Sequence, residues 1–426
     1  MSDNQPVPLV CETITVIIPV MNDWFNLRQV LLELNNQTLR PSEIMIVDSS
    51  SDDEIKKSLS KLSLDVPLRY LRAGRAFWAD RFILKYFKFF LSNNSLTGRA
   101  YPYEATNLGA KHASGQWIAF LDTSTNPANN WLEEISKLAS IHNLDLVIGK
   151  TRYFATSWFQ KLLHACTYGA NSHETMPGSI IKTDLYLKNF HIREGVRAGG
   201  DVEWRRRVKE NFKWAVLDAS FLSYSNLPNN LFSCSKKMFI YQLHSARVDI
   251  QHTVKDIYLG LFLFLSVIII PKWNSIVGWE SSAFFIPNIT KIYLLSITSL
   301  FFISLLLSKG FSSKLSVSPF ILNILRFIFL TILLMVVYRW NSVIANWVED
   351  SVWFIPHITK IFIGLILLIT LCYRGIYFPL THGIAKNYLF PFNWFLVGLL
   401  GIFLDIVKAP GYLIGSVLSV FVKRLN

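Results

Sequence analysis

The sequence lacks the features that mark several common protein classes. Its four cysteines have neither disulfide nor zinc-site spacing, so we expect reduced thiols at Cys11, Cys166, Cys234 and Cys372. No nucleic-acid-binding motif accompanies the formal charge of +13, so we expect no nucleic-acid partner. The first ten residues, MSDNQPVPLV, are polar, and we expect no secretory signal and a cytoplasmic first half.

Long apolar runs are concentrated beyond about residue 250. Two examples are YLGLFLFLSVIIIP (258–271) and FILNILRFIFLTILLMVVY (320–338). Because the hydrocarbon core of a bilayer is about 30 Å thick and needs roughly 20 apolar helical residues, such runs predict membrane helices. Buried helices of a soluble domain are the alternative, which several runs in succession disfavour. We therefore expect a soluble half followed by a membrane half.

The soluble half begins with a strand–helix–strand pattern. TITVIIP (13–19) is a β-branched run, WFNLRQVLLELNNQ (24–37) has its leucines on one helical face, and EIMIV (43–47) is a second apolar run. This order predicts a βαβ unit within a parallel sheet. Asp48 ends the second strand and Asp122 follows a later one. Because ligands bind beyond the carboxyl ends of such strands, the two acids mark a candidate site.

Three motifs follow one another between about residues 13 and 225. They are TVIIPVMNDWFNLRQVLLELNNQTLRPSEIMIVDSSSDD, then EATNLGAKHASGQWIAFLD, then NWLEEI. Their order and spacing resemble the nucleotide-sugar half of a family 2 glycosyltransferase. The resemblance implies a GT-A fold, which is α/β with a Rossmann-like, mainly parallel sheet. It also implies a hexosyltransferase-type enzyme that takes a nucleotide-sugar donor.

The resemblance assigns roles to individual residues. It places Pro19, Val20 and Asn22 along the nucleoside pocket and Asp48 against the base. The candidate donor-binding residues are Pro19, Val20, Asn22, Asp48, Asn107, Lys111, Asp122 and Arg207. Asp201 is the candidate catalytic base, which takes the proton of the acceptor hydroxyl. A helix N-cap is the structural alternative for Asp201, because DVEWRRRVKE looks helical.

The chain lacks three charges that the family commonly has. Ser124 stands at the second acid of an Asp-x-Asp motif, and Thr106 precedes Asn107 where arginine is frequent. Gly200 precedes Asp201 where glutamate is common. Each departure removes charge near the donor diphosphate or the base, so each bears on whether the site uses a metal.

The stretch FLDTSTNP (120–127) offers one carboxylate where a divalent ion normally finds two. Asp122, Ser124 and Asn126 alternate, so an extended segment would point their side chains one way. We predict a manganese or magnesium ion on these three residues, completed by the donor phosphates. Two alternatives stay open: neutralisation of the diphosphate by basic residues without metal, and an inactive site.

The membrane half contains an internal repeat. PKWNSIVGWESSAFFIPNITKIY (271–293) and YRWNSVIANWVEDSVWFIPHITKIF (338–362) are near-copies. They predict a duplicated unit of two helices joined by a Trp-rich segment, at about residues 257–307 and 319–373. The positively charged loop 374–386 is expected on the cytoplasmic side.

The sequence thus predicts three regions. Residues 1–230 form the GT-A domain, residues 231–256 an amphipathic interfacial connector, and residues 257–426 an all-α transmembrane domain of about five or six helices. The fifth helix is expected at 388–404, with a boundary near Asp405.

The expected function combines these regions. We expect a multi-pass protein of a bacterial cytoplasmic (inner) membrane whose catalytic domain faces the cytoplasm. It would transfer a sugar, with inversion, to a membrane-associated glycan or lipid-linked acceptor in surface polysaccharide or glycolipid assembly, with membrane lipids as further partners. The chain lacks the Gln-x-x-Arg-Trp motif of processive synthases, which favours single addition. The alternatives are transfer to polyprenyl phosphate and a catalytically inactive membrane scaffold.

Overall fold

A computed structural model describes residues 13–73, 100–188, 190–248, 368 and 370–423. These residues divide into two compact units, of which the first runs to Lys237 and includes Pro379–Ala385. The second begins at Met238 and includes Lys386–Ser419. The predicted repeat units lie outside the described residues, except for the end of the second, and so does the connector beyond residue 248.

The first unit is an α/β domain. Its strands are β1 (Ile14–Val20), β2 (Glu43–Asp48), β3 (Leu68–Arg72), β4 (Trp117–Phe120), β5 (Thr125–Asn126), β6 (Leu146–Tyr153), β7 (His173–Lys182), β8 (Trp214–Val216) and β9 (Leu222–Tyr224). Its helices are α1 (Trp24–Asn35), α2 (Glu54–Leu59), α3 (Pro102–His112), α4 (Trp131–Ile141), α5 (Trp158–Leu163), α6 (Thr183–Leu187) and α7 (Gly200–Asn211). A π-helical turn, His164–Tyr168, follows α5, and α8 (Leu231–Ser245) begins in this unit.

One mixed sheet organises the domain. The strand order is β3-β2-β1-β4-β7-β6-β9-β5, and β8 pairs with β6. Strands β1 to β4 are parallel to their neighbours within that group, as the βαβ pattern predicted. Beyond β4 the sheet is mixed, because β7 is antiparallel to both β4 and β6 whereas β8 and β9 are parallel to β6. β5 is also antiparallel to β9.

Burial explains why the first strands read as continuous apolar runs. Every residue of β2 is buried, and β1 is buried except at Pro19. Strands of a parallel sheet with helices on both faces have no solvent side, so no polar alternation is expected. On one face α1 contributes Leu27, Val30, Leu31 and Leu34, all fully buried. Each such side chain stabilises the fold by roughly 1.5–3 kcal/mol.

On the other face α3 packs closely on β1 and β2. A Cβ at Gly109 would lie 2.8 Å from Ile17 Cγ2 and 2.9 Å from Val47 Cγ2, so a larger residue would push the helix away. The start of α3 lies at the carboxyl edge of the sheet, where Pro102 lines a pocket with Val20. Its far end lies at the opposite edge, which decides which of its side chains can reach a site.

The second unit contains a long apolar helix. After a π-helical turn, Tyr373–Tyr377, come the short helices α9 (Phe378–Thr381), which enters the first unit, and α10 (Lys386–Leu389). Then α11 runs from Asn393 to Lys423 with Pro410 inside it. Within α11, the 20 residues Asn393–Tyr412 have a mean hydropathy of 1.6, and this is the one helix of the described part of the chain long and apolar enough to cross a membrane.

The predicted boundary near Asp405 is wrong, because α11 continues through this residue. The Asp405 carboxylate is buried and accepts a hydrogen bond from Arg374 Nε at 2.7 Å. A carboxylate paired in this way does not require a helix end in water. The Asp405 carboxylate therefore compensates positive charge from Arg374 and also lies 3.5 Å from Lys408 Nζ.

The segment Pro379–Ala385 packs on the α/β domain. The His382 carbonyl oxygen accepts hydrogen bonds from Ala170 N at 2.8 Å and Asn171 N at 3.3 Å. Gly169 has φ +73°, and a Cβ there would lie 2.4 Å from His382 Cβ. Glycine is thus required at this close approach, both for its backbone conformation and for space.

Candidate active site

A pocket opens at the carboxyl edge of the sheet, beyond β1 and β4. Its walls come from the end of β1, the start of α3, the turn after β4 and a loop before α7. The lining residues are Pro19–Met21, Asp23, Ser49, Ala100–Pro102, Asp122–Thr123 and Arg197. Three of the sequence-predicted donor residues, Pro19, Val20 and Asp122, are therefore brought together in one cavity. Their roles stay predictions.

Asp48 lies beside this pocket rather than in its lining. It is fully buried at the end of β2, next to Ser49. Its carboxylate accepts hydrogen bonds from Ser50 N at 2.7 Å, Tyr70 OH at 2.8 Å and Arg72 Nη1 at 2.8 Å. Burial raises the pKa of Tyr70, so its hydroxyl stays a donor to Asp48. The carboxylate thereby fixes the turn after β2.

Asn22 joins the turn after β1 to the turn after β2. Its backbone has φ +51°, a left-handed conformation that asparagine tolerates. Asn22 N donates to Ser50 Oγ at 2.7 Å, and Asn22 Oδ1 accepts from Ser51 N at 3.1 Å. The residue lies beside the lining residues Met21 and Asp23, so its clearest structural contribution is to hold the pocket wall.

Asn107 ties α3 to the loop before α7. Its Nδ2 donates to Ile192 O at 2.8 Å and to Glu194 Oε1 at 3.1 Å. Its Oδ1 accepts from Tyr186 OH at 2.6 Å and from Ile192 N at 3.2 Å. The amide is buried and its bonding capacity is used within the protein. Asn107 therefore positions this loop, and its role in donor binding stays a prediction.

The same face of α3 holds the next part of the loop. Glu104 Oε1 accepts a hydrogen bond from Gly195 N at 3.2 Å. Tyr103 OH donates to Asp201 Oδ1 at 3.1 Å. Because Asn107, Glu104 and Tyr103 all act on the segment between residues 192 and 201, α3 sets where Arg197 and Asp201 lie.

Asp201 is the second residue of α7, and the N-cap is Gly199, with φ +85°. The alternative that Asp201 is the N-cap is therefore wrong. A carboxylate in the first turn of a helix is favoured by the positive end of the helix dipole. The half-buried side chain lies one hydrogen bond from Tyr103, whose neighbour Pro102 lines the pocket.

Gly200 lacks a side chain for a steric reason. A Cβ at this position would lie 2.7 Å from Tyr103 Cε2, 2.8 Å from Tyr103 Cδ2 and 3.2 Å from Ile192 Cγ2. The Tyr103 ring thus fills the space that the family's usual glutamate would need. The departure at Gly200 and the hydrogen bond that orients Asp201 are parts of one arrangement.

Arg197 is a site residue that the sequence analysis missed. It lines the pocket and is partly exposed. Its guanidinium makes no hydrogen bond or ion pair with the described residues. The available signal was its position in GVRAGGD, a glycine-rich stretch just before Asp201. A cation in such a loop, beside a candidate base, suits recognition of phosphate.

Lys111 and Arg207 do not line the pocket. Lys111 is exposed in the last turn of α3, next to His112, whose carbonyl accepts from Arg69 Nη1 at 2.8 Å near the amino end of β3. The direction of α3 therefore carries Lys111 to the opposite edge of the sheet. Arg207 lies about 9 Å along α7 from Asp201. Its Nη2 donates to the carbonyl of His191 at 2.8 Å.

The segment after β4 is a tight turn, which contradicts the extended geometry assumed for Asp122, Ser124 and Asn126. Thr125 N donates to Asp122 O at 3.1 Å, and Thr125 Oγ1 donates to the same oxygen at 2.8 Å. Asn126 then pairs with Ser223 in the two-residue strand β5. The three side chains therefore do not alternate along one extended strand.

Asp122 lies among charged and hydroxyl groups. Burial raises its pKa, while a hydrogen bond from the Thr123 backbone and the positive charge of Lys237 oppose that shift. Ser124, at the motif's second position, hydrogen-bonds to the Tyr224 side chain. Lys237 Nζ donates to Tyr224 OH at 3.2 Å.

These residues do not fit the divalent cation that the resemblance implies. Magnesium and manganese prefer several hard oxygen ligands, including carboxylates. Here burial favours the neutral form of Asp122, the Ser124 side chain hydrogen-bonds to Tyr224, and the Lys237 ammonium lies 3.2 Å from Tyr224 OH. The nearby Asp23 carboxylate accepts from Asn26 Nδ2 at 2.9 Å and from Thr123 Oγ1 at 3.0 Å. No cluster of three or more acidic, histidine or cysteine ligands occurs in the described part of the chain.

Comparisons with known proteins agree with the resemblance. Residues 15–81 and 96–208 match the family described as Glycosyl transferase family 2. A relative from Haloferax volcanii, Glycosyltransferase AglE, is 26% identical over 216 residues, which cover 46% of this chain and 61% of AglE. The chain thus spans about three fifths of that relative's length.

Two solved structures of Staphylococcus aureus TarS residues 1–349 are also similar, each at 16% identity and a TM-score of 0.37. The complex with UDP-GlcNAc covers 74% of this chain and 79% of the TarS chain, and the complex with UDP covers 77% and 91%.

Proposed function

The first half of the chain is a family 2 glycosyltransferase domain, and from this premise we propose that the protein transfers a sugar from a nucleotide-sugar donor to a membrane-associated acceptor. One observation carries the proposal. Asp122 and Arg197 line a single pocket at the carboxyl edge of the sheet, and Asp201 accepts a hydrogen bond from Tyr103, the residue after Pro102 of the pocket lining. Ligands of open α/β sheets bind at this edge.

The transfer proceeds by inversion at the sugar's anomeric carbon. The acceptor oxygen attacks this carbon while its proton passes to Asp201, which is the general base. The bond from the anomeric carbon to the phosphate oxygen breaks, and its electron pair leaves with the nucleoside diphosphate. Arg197 stabilises the charge that develops on the leaving group. Tyr103 keeps the base in place.

A membrane location for the acceptor is supported by two features of the chain. The apolar segment Asn393–Tyr412 is long enough to span a bilayer. The segment Pro379–Ala385, shortly before it, packs on the α/β domain. On this proposal the loop 374–386 lies on the cytoplasmic side with the catalytic domain, and the protein is a multi-pass protein of a bacterial inner membrane.

Exposed apolar side chains near the site add to this support. Phe154, Trp158, Leu231 and Phe232 are 41%, 64%, 42% and 81% exposed. Phe154 lies next to Tyr224, since Phe154 N donates to Tyr224 O at 2.8 Å. Large apolar side chains in a basic protein suit the interface of an anionic membrane. The acceptor is accordingly a lipid-linked or membrane-associated glycan.

A screen of donors tests the proposal. The full chain, purified in detergent, is heated with UDP-, GDP- or dTDP-sugars, with manganese or with chelator. We expect one donor class to raise the melting temperature and to lose its sugar to a membrane extract. Asp201→Asn should keep the thermal shift and lose transfer, whereas transfer that survives in Asp201→Asn would favour polyprenyl phosphate as acceptor. Absence of a shift with every donor would support the inactive scaffold instead.

A further inference from the structure

We propose that Lys237 provides, within the protein, the positive charge that a metal ion would otherwise bring to the donor diphosphate. This inference rests on the proposed function. It concerns the place where the chain departs from the family's Asp-x-Asp motif, because the hydroxyl of Ser124 stands there in place of a carboxylate.

Lys237 reaches this place from a distant part of the sequence. It lies on α8, after β9, and its Nζ is 3.2 Å from Tyr224 OH and 5.4 Å from the centre of the Tyr224 ring. Tyr224 in turn hydrogen-bonds to Ser124, which immediately precedes Thr125, the partner of Tyr224 in the pairing of β5 with β9. Ser124, Tyr224 and Lys237 thus form a chain of side chains that begins two residues from Asp122.

The electrostatics of the cluster favour an ammonium over a divalent ion. A fixed positive charge close to Asp122 and Ser124 would repel a second cation, and one half-buried carboxylate offers little to offset that repulsion. The same ammonium attracts the diphosphate of a donor that enters the pocket. Lysine binds phosphate as a point charge with three rotatable donors, so it can follow the phosphate as the bond to the sugar breaks.

The transfer step is balanced in electrons and protons without a metal ion. As the bond between the anomeric carbon and the β-phosphate oxygen breaks, the electron pair moves to that oxygen. Lys237, together with Arg197 of the pocket lining, stabilises the added charge without transferring a proton. The acceptor proton goes to Asp201. No further reactant is required.

Nucleotide binding in chelator tests the role of Lys237 separately from turnover. Calorimetry on the full chain in detergent compares UDP, GDP or dTDP, whichever base the donor screen selects, with its monophosphate. Lys237→Met should weaken diphosphate binding about tenfold, the size of one charge-assisted hydrogen bond, and leave monophosphate binding within about twofold. Lys237→Arg should retain most of the preference. Lys236→Met, at the next position of α8 and partly exposed, is the matched control and should behave as wild type.

The outcomes separate this inference from the proposed function. If wild-type protein binds the diphosphate in chelator and Lys237→Met binds it equally well, the inference fails and the proposed function stands. If manganese strengthens wild-type binding of the diphosphate tenfold or more, the metal-assisted alternative replaces Lys237. If the wild-type protein binds neither nucleotide under any condition, both proposals fail.

Discussion

Two positions of the candidate site depart from the family pattern, and different kinds of neighbouring side chain accompany the two departures. At Ser124 a carboxylate is missing, and the hydroxyl that replaces it joins Tyr224 and, through it, Lys237. At Gly200 a glutamate is missing, and the ring of Tyr103 occupies the space. The first departure changes the charge at the site, whereas the second changes its shape.

The difference shows that the loss of a carboxylate from a motif can have different structural consequences at different positions. Around Ser124 one negative charge is absent and the Lys237 ammonium lies one side chain further away, through Tyr224, which alters what the site can bind. Around Gly200 the acid is replaced by an uncharged ring that donates a hydrogen bond to Asp201. We therefore expect substitutions at the first position to change affinity for the diphosphate, and substitutions at the second to change turnover.

The largest expected effect is at Asp201, because the predicted changes in turnover near Gly200 act through this residue. Asp201→Asn removes the proton acceptor but keeps the side-chain size and the hydrogen bond from Tyr103. Turnover should fall about 100-fold or more, within the range for loss of a general base, while donor affinity stays nearly unchanged. Glu210→Gln, exposed near the far end of α7, is the control. Steady-state kinetics and calorimetry together measure the split, and an equal loss of affinity would contradict it.

Restoring the family's acid at Gly200 should be the next largest effect. In Gly200→Glu the new Cβ meets the Tyr103 ring, so the ring must move and its hydrogen bond to Asp201 is lost. Overpacking of this kind costs about 1–3 kcal/mol of folding stability. Loss of the hydrogen bond that orients Asp201 should in addition lower turnover by up to about tenfold.

The double variant Gly200→Glu/Tyr103→Ala tests the cause. It removes the clashing ring and should be more stable towards heat than Gly200→Glu alone. Circular dichroism at rising temperature measures this. If the double variant is less stable than either single variant, the steric explanation for Gly200 is wrong.

Much of the fold and part of this comparison could be predicted from the sequence. The βαβ pattern placed Asp48 and Asp122 at strand ends because strand periodicity and apolar runs are local signals. α1 was expected at 24–37 and is found at Trp24–Asn35. The compensating residues were not predictable in this way. Tyr224 and Lys237 lie about a hundred residues after Ser124, and only the pairing of β5 with β9 and the start of α8 bring them close.

Direction and pairing explain the other misses. Lys111 was expected at the site because it lies within a family motif, but the orientation of α3 places it at the other edge of the sheet. Asp405 looked like a helix boundary because an isolated carboxylate is costly in an apolar segment. Its partner, Arg374, comes from another element, so the continuity of α11 could not be seen from composition alone.

A third prediction concerns a double variant in which a carboxylate at position 124 replaces the nearby Lys237 ammonium. The double variant Ser124→Asp/Lys237→Met restores the family's second acid and removes the ammonium. Two carboxylates near the diphosphate should now hold manganese, so donor affinity in this variant should rise about tenfold with metal.

Linkage requires that the donor raise the affinity for manganese by the same factor, which calorimetry in both orders checks. Ser124→Asp alone is the control, and its new carboxylate should pair with Lys237 and weaken diphosphate binding in chelator. If the double variant gains no response to metal, the turn after β4 cannot present a metal site. The exchange of charge would then not explain the departure.

The smallest expected effects come from removing single hydroxyl groups on the two sides. Tyr224→Phe keeps the ring but breaks the link between Ser124 and Lys237, and Tyr103→Phe keeps the ring but removes the donor to Asp201. One hydrogen bond contributes about 0.5–1.5 kcal/mol, or up to about tenfold. Tyr224→Phe should therefore weaken diphosphate binding severalfold and leave the turnover of saturated enzyme nearly unchanged. Tyr103→Phe should lower turnover severalfold and leave diphosphate binding unchanged.

Because the two substitutions are chemically identical, a shared loss of stability would affect both measurements alike, and only distinct roles produce the crossed result. If both variants lose affinity and turnover in the same proportion, the departures at Ser124 and Gly200 do not have the separate effects on charge and shape that we infer.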